Sequence, residues 1–248
     1  MLAEIYRTVL GNVPSAIREY KRAADLGHVD ALTQLNKIAS SDAESAYAIA
    51  QKYESEVELA GHLQKALIYY EVALKNGHGH ARSRLKKLGL AGNVEAQYAL
   101  HHHYLSQGNT LEAIKWAMRG EEKGHAALRG YLNTTQFNVA HCFQIAKWYE
   151  SEEVVIKNIA QALVFYGRAS GLGHREASIR RGQLYQLDGL GMALDLDQAC
   201  QSYILSARQG DVASRAVLDR LGKDVSAHIQ FLIGEMYRLP PFNDRRKA

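Results

Sequence analysis

The dipeptide Gly-His recurs at Gly27-His28, Gly77-His78, Gly124-His125 and Gly173-His174, and Gly210-Asp211 continues the series. The residues ahead of each glycine keep a fixed order. Eleven positions before it stands an alanine: Ala16, Ala66, Ala113, Ala162, Ala199. Seven before it stands Tyr20, Tyr70, Tyr166 or Tyr203, while the third copy has Ala117 there, preceded by Trp116. Four before it stands a small residue: Ala23, Ala73, Gly120, Ala169, Ser206. These offsets fall on one helical face. Small residues on that face let a second helix come close, and the aromatic ring fills the space between. Glycine then ends the helix, because a left-handed residue costs it little. Each segment is called helix B here. Five copies in one spacing restrict the chain to a stack of similar helices.

A second motif precedes each helix B and is called helix A. It is centred on Tyr6, Tyr53, Tyr104, Tyr149, Tyr185 and Tyr237. Four residues earlier the chain is apolar (Leu2, Ile49, Leu100, Ile145, Ile233) except at Arg181. Three earlier it is small (Ala3, Ala50, Ala146, Gly182, Gly234) except at His101. Ser41-x-x-Glu44 and Asn109-x-x-Glu112 have the form of capping boxes, and Asp224 is placed to cap the last helix A. From Gly173 to Tyr185 the interval is 12 residues, whereas the other junctions take 25 to 27. The added text, Ala31 to Ile38 and Ala81 to Leu88, has i, i+4, i+7 spacing and predicts a short third helix. Gly89 would close it in one junction and Gly222 in another.

Composition supports an all-α chain. Only 3 prolines occur in 248 residues. Pro14 opens the first helix B, Pro240-Pro241 close the last helix A, and no proline lies between them to break a helix.

The stretch Ala177 to Ala199 resembles the Sel-one-like repeats, a branch of the tetratricopeptide-like helical repeats. Gly182, Tyr185, Gly189, Gly191, Asp195, Ala199, Tyr203 and Gly210 stand where that pattern has its glycines, tyrosines, aspartate and alanine. The resemblance implies a right-handed α-solenoid of stacked helix-turn-helix units. It extends over nearly the whole chain as a single domain, with units near 1-40, 41-92, 93-134, 135-174, 175-222 and a partial 223-248. The long junctions depart from the pattern and leave the curvature open. The resemblance also implies a non-enzymatic protein-interaction scaffold or adaptor. Such repeats are common in bacterial assembly, signalling, envelope and virulence proteins and in eukaryotic membrane-complex adaptors. The first repeat begins at Met1 without a polar cap and no helix B follows the last helix A, which reads as a piece of a longer array or a part of a larger complex.

Several functions are disfavoured. Cys142 and Cys200 have no zinc-ligand spacing and read as buried thiols. Charge is nearly balanced at +4, and the one tight basic cluster is Arg245-Arg246-Lys247, so nucleic-acid binding is not expected. No apolar run is long enough for a membrane span and no signal peptide opens the chain, so a cytoplasmic location is the default. No phosphate loop, nucleophile elbow or carboxylate pair stands out, and Gly189-Leu-Gly191 reads as an inter-helix turn. His101-His102-His103 fan about a helix axis and cannot converge on one ion. No cofactor, metal or catalytic residue is expected. Each Gly-His histidine reads as a turn residue, since Asp211 replaces it in the fifth copy.

A partner groove is the candidate site. Two before each helix A tyrosine stand Glu4, Gln51, His102, Lys147, Gln183 and Glu235; one after it stand Arg7, Glu54, Leu105, Glu150, Gln186 and Arg238. Residues three apart share a stripe. His101, large in a small-residue row, is expected either to push its neighbour helix away or to point into the groove and widen it. Leu105 and Trp148 are expected to anchor a protein partner apolarly. The alternative is an envelope or exopolysaccharide-associated component that binds an anionic ligand through Lys147, His102 and Arg238.

Overall fold

The computed structural model describes residue 3 and residues 11–187, 194–221, 223 and 225–238. Expectations resting on Leu2, Glu4, Tyr6, Arg7, Gly189, Gly191, Gly222, Asp224, Pro240, Pro241 and the Arg245-Arg246-Lys247 cluster lie outside the described residues. Fourteen helices are seen among those described, and no strand. They are α1 (Val13–Asp25), α2 (Val29–Ser41), α3 (Ala43–Glu54), α4 (His62–Lys75), α5 (Gly79–Leu90), α6 (Val94–Ser106) and α7 (Thr110–Glu122). There follow α8 (Ala126–Thr134), α9 (Val139–Ser151), α10 (Ile159–Gly171), α11 (Arg175–Tyr185), α12 (Leu196–Arg208), α13 (Val212–Leu221) and α14 (Ala227–Arg238). The chain divides into two compact units, 1–133 and 134–248.

In the first unit the A/B hairpins are α3/α4 and α6/α7; in the second they are α9/α10 and α11/α12. Helices otherwise pack on their next neighbours, as α1 on α2, α5 on α6 and α12 on α13, and more sparsely one further along. That neighbour-to-neighbour order is what a helical repeat produces. The repeated positions are its core. Ala16, Ala66, Ala113, Ala162 and Ala199 are fully buried, and Tyr53, Tyr70 and Tyr166 are among the largest enclosed side chains.

The third helices are α2, α5, α8 and α13, of 13, 12, 9 and 10 residues. Those in the first unit's first two junctions are as long as helices A and B, so "short" fits only the later pair. Their apolar rows explain them: Ala31, Leu35 and Ile38 are buried in α2, and Ala81 and Leu85 in α5. Two stop signals differ from expectation. Helix α5 runs through Gly89 to Leu90. A Cβ at Gly89 would lie 2.8 Å from Trp116 Cζ3, so that glycine makes room for a ring, and the left-handed stop falls to Gly92 at φ +95. The start of α3 is capped by Asp42, whose Oδ1 accepts from Ser45 N at 2.9 Å, one residue beyond the expected Ser41.

The Gly-His turns have a physical reason. Nδ1 of His78, His125 and His174 accepts from the N–H of Ala81, Leu128 and Ala177 at 3.2, 3.3 and 3.2 Å. Asp211 Oδ2 accepts from Ser214 N at 2.8 Å in the fifth copy. Four of the five copies thus place an N-cap acceptor here, imidazole or carboxylate, whereas His28 makes no side-chain cap bond at α2. Helix α11 fills the one short junction alone: it starts at the His174 cap as a third helix would and ends at Tyr185 as helix A does.

Candidate partner-binding cleft

Two copies of the repeat build the same polar lock. Tyr70 OH donates to Glu54 Oε2 at 2.6 Å, and Arg84 Nε donates to Glu54 Oε1 at 2.7 Å. Tyr166 OH donates to Glu150 Oε2 at 2.6 Å, and Arg180 Nε donates to Glu150 Oε1 at 2.8 Å. The carboxylate comes from helix A, the phenol from helix B and the guanidinium from the following helix, so each lock ties three successive helices. Burial, then the hydrogen bond and charge of the adjacent carboxylate, push the Tyr70 and Tyr166 phenols far up. At Glu150 burial works against ionisation, but the hydrogen bonds from Arg180 and Tyr166 and the Arg180 charge prevail and hold the carboxyl below its usual range. An aromatic side chain of helix A stacks on the capping histidine beside each lock. Tyr47 lies 4.3 Å from His78 and Phe143 lies 4.2 Å from His174, centroid to centroid.

The middle copy replaces the whole lock. Leu105, Ala117 and Tyr131 stand where the other two copies have Glu, Tyr and Arg. His101 is only 2% exposed there. Its Nδ1 lies 2.9 Å from Ala113 O, and its ring meets the edge of Tyr131 at 4.4 Å. Its bulk, with that of Tyr131, replaces what Ala117 lacks. His101 therefore neither widens a groove nor faces one; it is core, and burial lowers its pKa. Trp148, at 3% exposure, is also core and offers no ring to a partner. His102, one residue on, is exposed and stands edge-on to Tyr98 at 4.4 Å.

In the second unit the lock floors a cleft of about 480 Å³ between α9, α10 and α11. Phe143, Lys147, Glu150 and Ser151 line it from α9, Tyr166 from α10, and Glu176, Ile179, Arg180 and Gln183 from α11. Three of the anticipated residues, Lys147, Glu150 and Gln183, thus come together. Gln183 Oε1 accepts from Arg180 Nη1 at 2.9 Å. Lys147 has no carboxylate partner among the described residues; its ammonium sits 5.9 Å from the Phe143 ring centroid. Gln186 lies outside the cleft and donates to Tyr203 OH. Gln51 is exposed on α3, and Glu54 is held in its lock. Leu105 is half-buried on α6, and Glu235 pairs with Arg238 on α14.

One cluster was not anticipated. Ligating atoms of Asp25, Glu56 and His62 lie within 4.8 Å of one another, a grouping that could hold a cation. Lys21 Nζ already stands 2.9 Å from Asp25 Oδ2 and 2.6 Å from Glu56 Oε2, and Lys65 Nζ is 3.2 Å from Asp25 Oδ1. Two ammonium groups therefore supply the counter-charge that a metal would bring. The lock was missed too, although its signal is in the sequence: Glu, Tyr and Arg occur together in the second and fourth copies and vanish together in the third.

A fold of consecutive helix hairpins, with a cleft floored by a part-buried ionic lock, defines a helical-repeat protein. No family model matches the chain, and no curated protein matches it. Among solved structures, it is similar to a Sel1 repeat protein from Oxalobacter formigenes, at 20% identity and TM-score 0.33, covering 90% of this chain and 84% of that one. It is likewise similar to a protective antigen of uropathogenic Escherichia coli described as displaying an SLR fold, at 16% identity and TM-score 0.33 over 91% of this chain. The chain spans 64% of the length of that antigen. No helix among the described residues is long and apolar enough to cross a membrane.

Proposed function

We propose that the chain is a non-enzymatic scaffold or adaptor that binds extended segments of protein partners on its helix faces, with the α9–α10–α11 cleft as a principal site. The observation that carries this is the cleft's make-up. Phe143 and Ile179 give apolar wall, Lys147 and Gln183 give polar rim, and the Glu150–Tyr166–Arg180 lock holds the floor rigid. A concave, pre-formed surface of mixed polarity suits a peptide. The anionic-ligand reading is supported less. Another pocket, of about 710 Å³ in the first unit, is lined by the cations Arg18, Lys21, Arg22 and Lys52 together with the carboxylates Asp25 and Glu56. Yet Lys21 there is spent on Asp25 and Glu56, and Arg18 and Arg22 lean on Glu19.

Selection of displayed peptides on the intact protein tests the reading. Enriched peptides should bind the native chain and lose most of their affinity to Ile179→Asp or Gln183→Ala. Their affinity should fall only modestly between low and high salt, where a polyanion would fall steeply. Peptides that bind both variants as well as the native chain would move the site elsewhere. Enrichment of nothing, beside salt-sensitive binding of an anionic polysaccharide, would favour the alternative.

A further inference from the structure

We infer that the α9–α10–α11 cleft selects partner segments in which an Asp or Glu side chain neighbours a branched or aromatic apolar residue, the carboxylate pairing with Lys147 and the apolar group seating on Phe143 and Ile179. This rests on the peptide-binding reading above and names its chemistry.

The charges of the cleft single out Lys147. Glu150 and Arg180 cancel in the floor, where Glu150 takes bonds from both Arg180 and Tyr166 and Arg180 also serves Gln183. Both are committed, and a partner gains nothing by displacing them. Glu176 stands exposed at the other side of the mouth, in the first turn of α11, where a helix favours negative charge. Lys147 is the exposed cation of the lining that has no carboxylate partner among the described residues, and its ammonium lies over the Phe143 ring. An ammonium over an aromatic face keeps most of its hydrogen-bonding capacity, because the ring accepts none of the N–H groups in the way a carboxylate does. A partner carboxylate brought beside it completes a charge-assisted pair and at the same stroke brings the next side chain to the apolar wall that Ile179 forms with Phe143. The corresponding positions of the other locked copy confirm that the rim, and not the floor, varies. Gln51 stands there in place of Lys147, His80 in place of Glu176 and Lys87 in place of Gln183, around the same Glu54–Tyr70–Arg84 lock. A constant floor under a varied rim is how one scaffold reads different segments.

The test is a charge swap on the whole chain. Four synthetic ten-residue peptides of otherwise uniform sequence carry Glu-Leu, Lys-Leu, Gln-Leu or Glu-Ala at their centre. Their binding is measured by fluorescence anisotropy to the native protein and to Lys147→Glu. Native protein should bind Glu-Leu about tenfold more tightly than Lys-Leu, the order expected of one well-placed charge pair against a like-charge contact. Glu-Ala should be weaker than Glu-Leu, and Lys147→Glu should invert the order of Glu-Leu and Lys-Leu. The exposed site makes folding of the variant a small matter, and an unchanged thermal midpoint checks it. The same order of peptides in both proteins overturns the inference. Display-selected peptides sensitive to Ile179→Asp but blind to Lys147→Glu overturn it while leaving the cleft as the site. Peptides indifferent to all of these changes remove the cleft itself.

Discussion

Tyr203 packs against α11 at a point where only glycine fits. A Cβ on Gly182 would lie 2.8 Å from two atoms of that ring, inside any real contact distance. The ring is buried and its hydroxyl is engaged by Gln186, so it cannot swing clear without breaking that bond. Gly182→Ala should therefore destabilise by about 1–3 kcal/mol through overpacking, although alanine is the better helix former by about 1 kcal/mol. Gly234, also in a helix, has open space where its Cβ would go, and Gly234→Ala should be neutral or mildly stabilising. Denaturant unfolding of both variants checks the pair, and equal midpoints would refute the close approach. At this scale the sequence showed which positions are small but not which large residues face inward. Trp148 is adjacent to the Tyr149 keystone, and helix A is covered on more than one side, so a direction that looks outward from the repeat register is also buried. The place of His101 is not legible in its own row, because Ala117, which leaves the space, and Tyr131, which packs against the ring, lie on two other helices.

Element boundaries turn on single acceptors. In the turn between α10 and α11, Gly173 carries φ +92 and His174 accepts from Ala177 N through Nδ1. Removing that acceptor leaves a helix N–H uncapped, so His174→Ala should cost about 1 kcal/mol. His174→Asp should cost less, because Asp211 does the same work at α13 and a carboxylate also suits the positive end of a helix. Thermal melts of the two variants rank them, and an Asp variant as damaged as the Ala variant would show that the ring's stacking on Phe143 at 4.2 Å matters more than the cap. The repeat spacing disclosed helices A, B and the third helix because each is a buried row at helical period. It placed two boundaries wrongly, at Gly89 and Ser41. A glycine marks either a stop or a close approach, and two adjacent polar residues can each cap; the choice is made by a ring on α7 in one case and by Ser45 N–H in the other.

Over the whole molecule, acid should act in two stages. His101 is buried with its pKa lowered from 6.5, chiefly by desolvation, and His103 is lowered by the same cause together with the charges of Arg82 and Lys86. In the unfolded chain these rings regain their ordinary affinity for protons. Below about pH 6.5 the unfolded state thus binds more protons than the folded one, and stability falls as pH falls until the folded rings themselves titrate. The carboxylates come later. Glu150, Asp25, Asp42 and Asp211 are all lowered in the fold. Burial opposes this at Glu150, Asp25 and Asp211 and is outweighed by hydrogen bonds from Arg180, Lys21 and Ser214; at Asp42 the Ser45 hydrogen bond leads. Their contribution is complete above the ordinary carboxylate range and is lost as pH drops through their lowered values. Urea unfolding at a series of pH values should show a first decline between pH 7 and 5 and a second below about pH 4. His101→Gln keeps an amide donor toward Ala113 O and removes that ring's titration, so it should make the first decline shallower, leaving the share of His103, and leave the second in place. A first decline of unchanged slope in that variant would mean that the His101 ring is not buried in its neutral form.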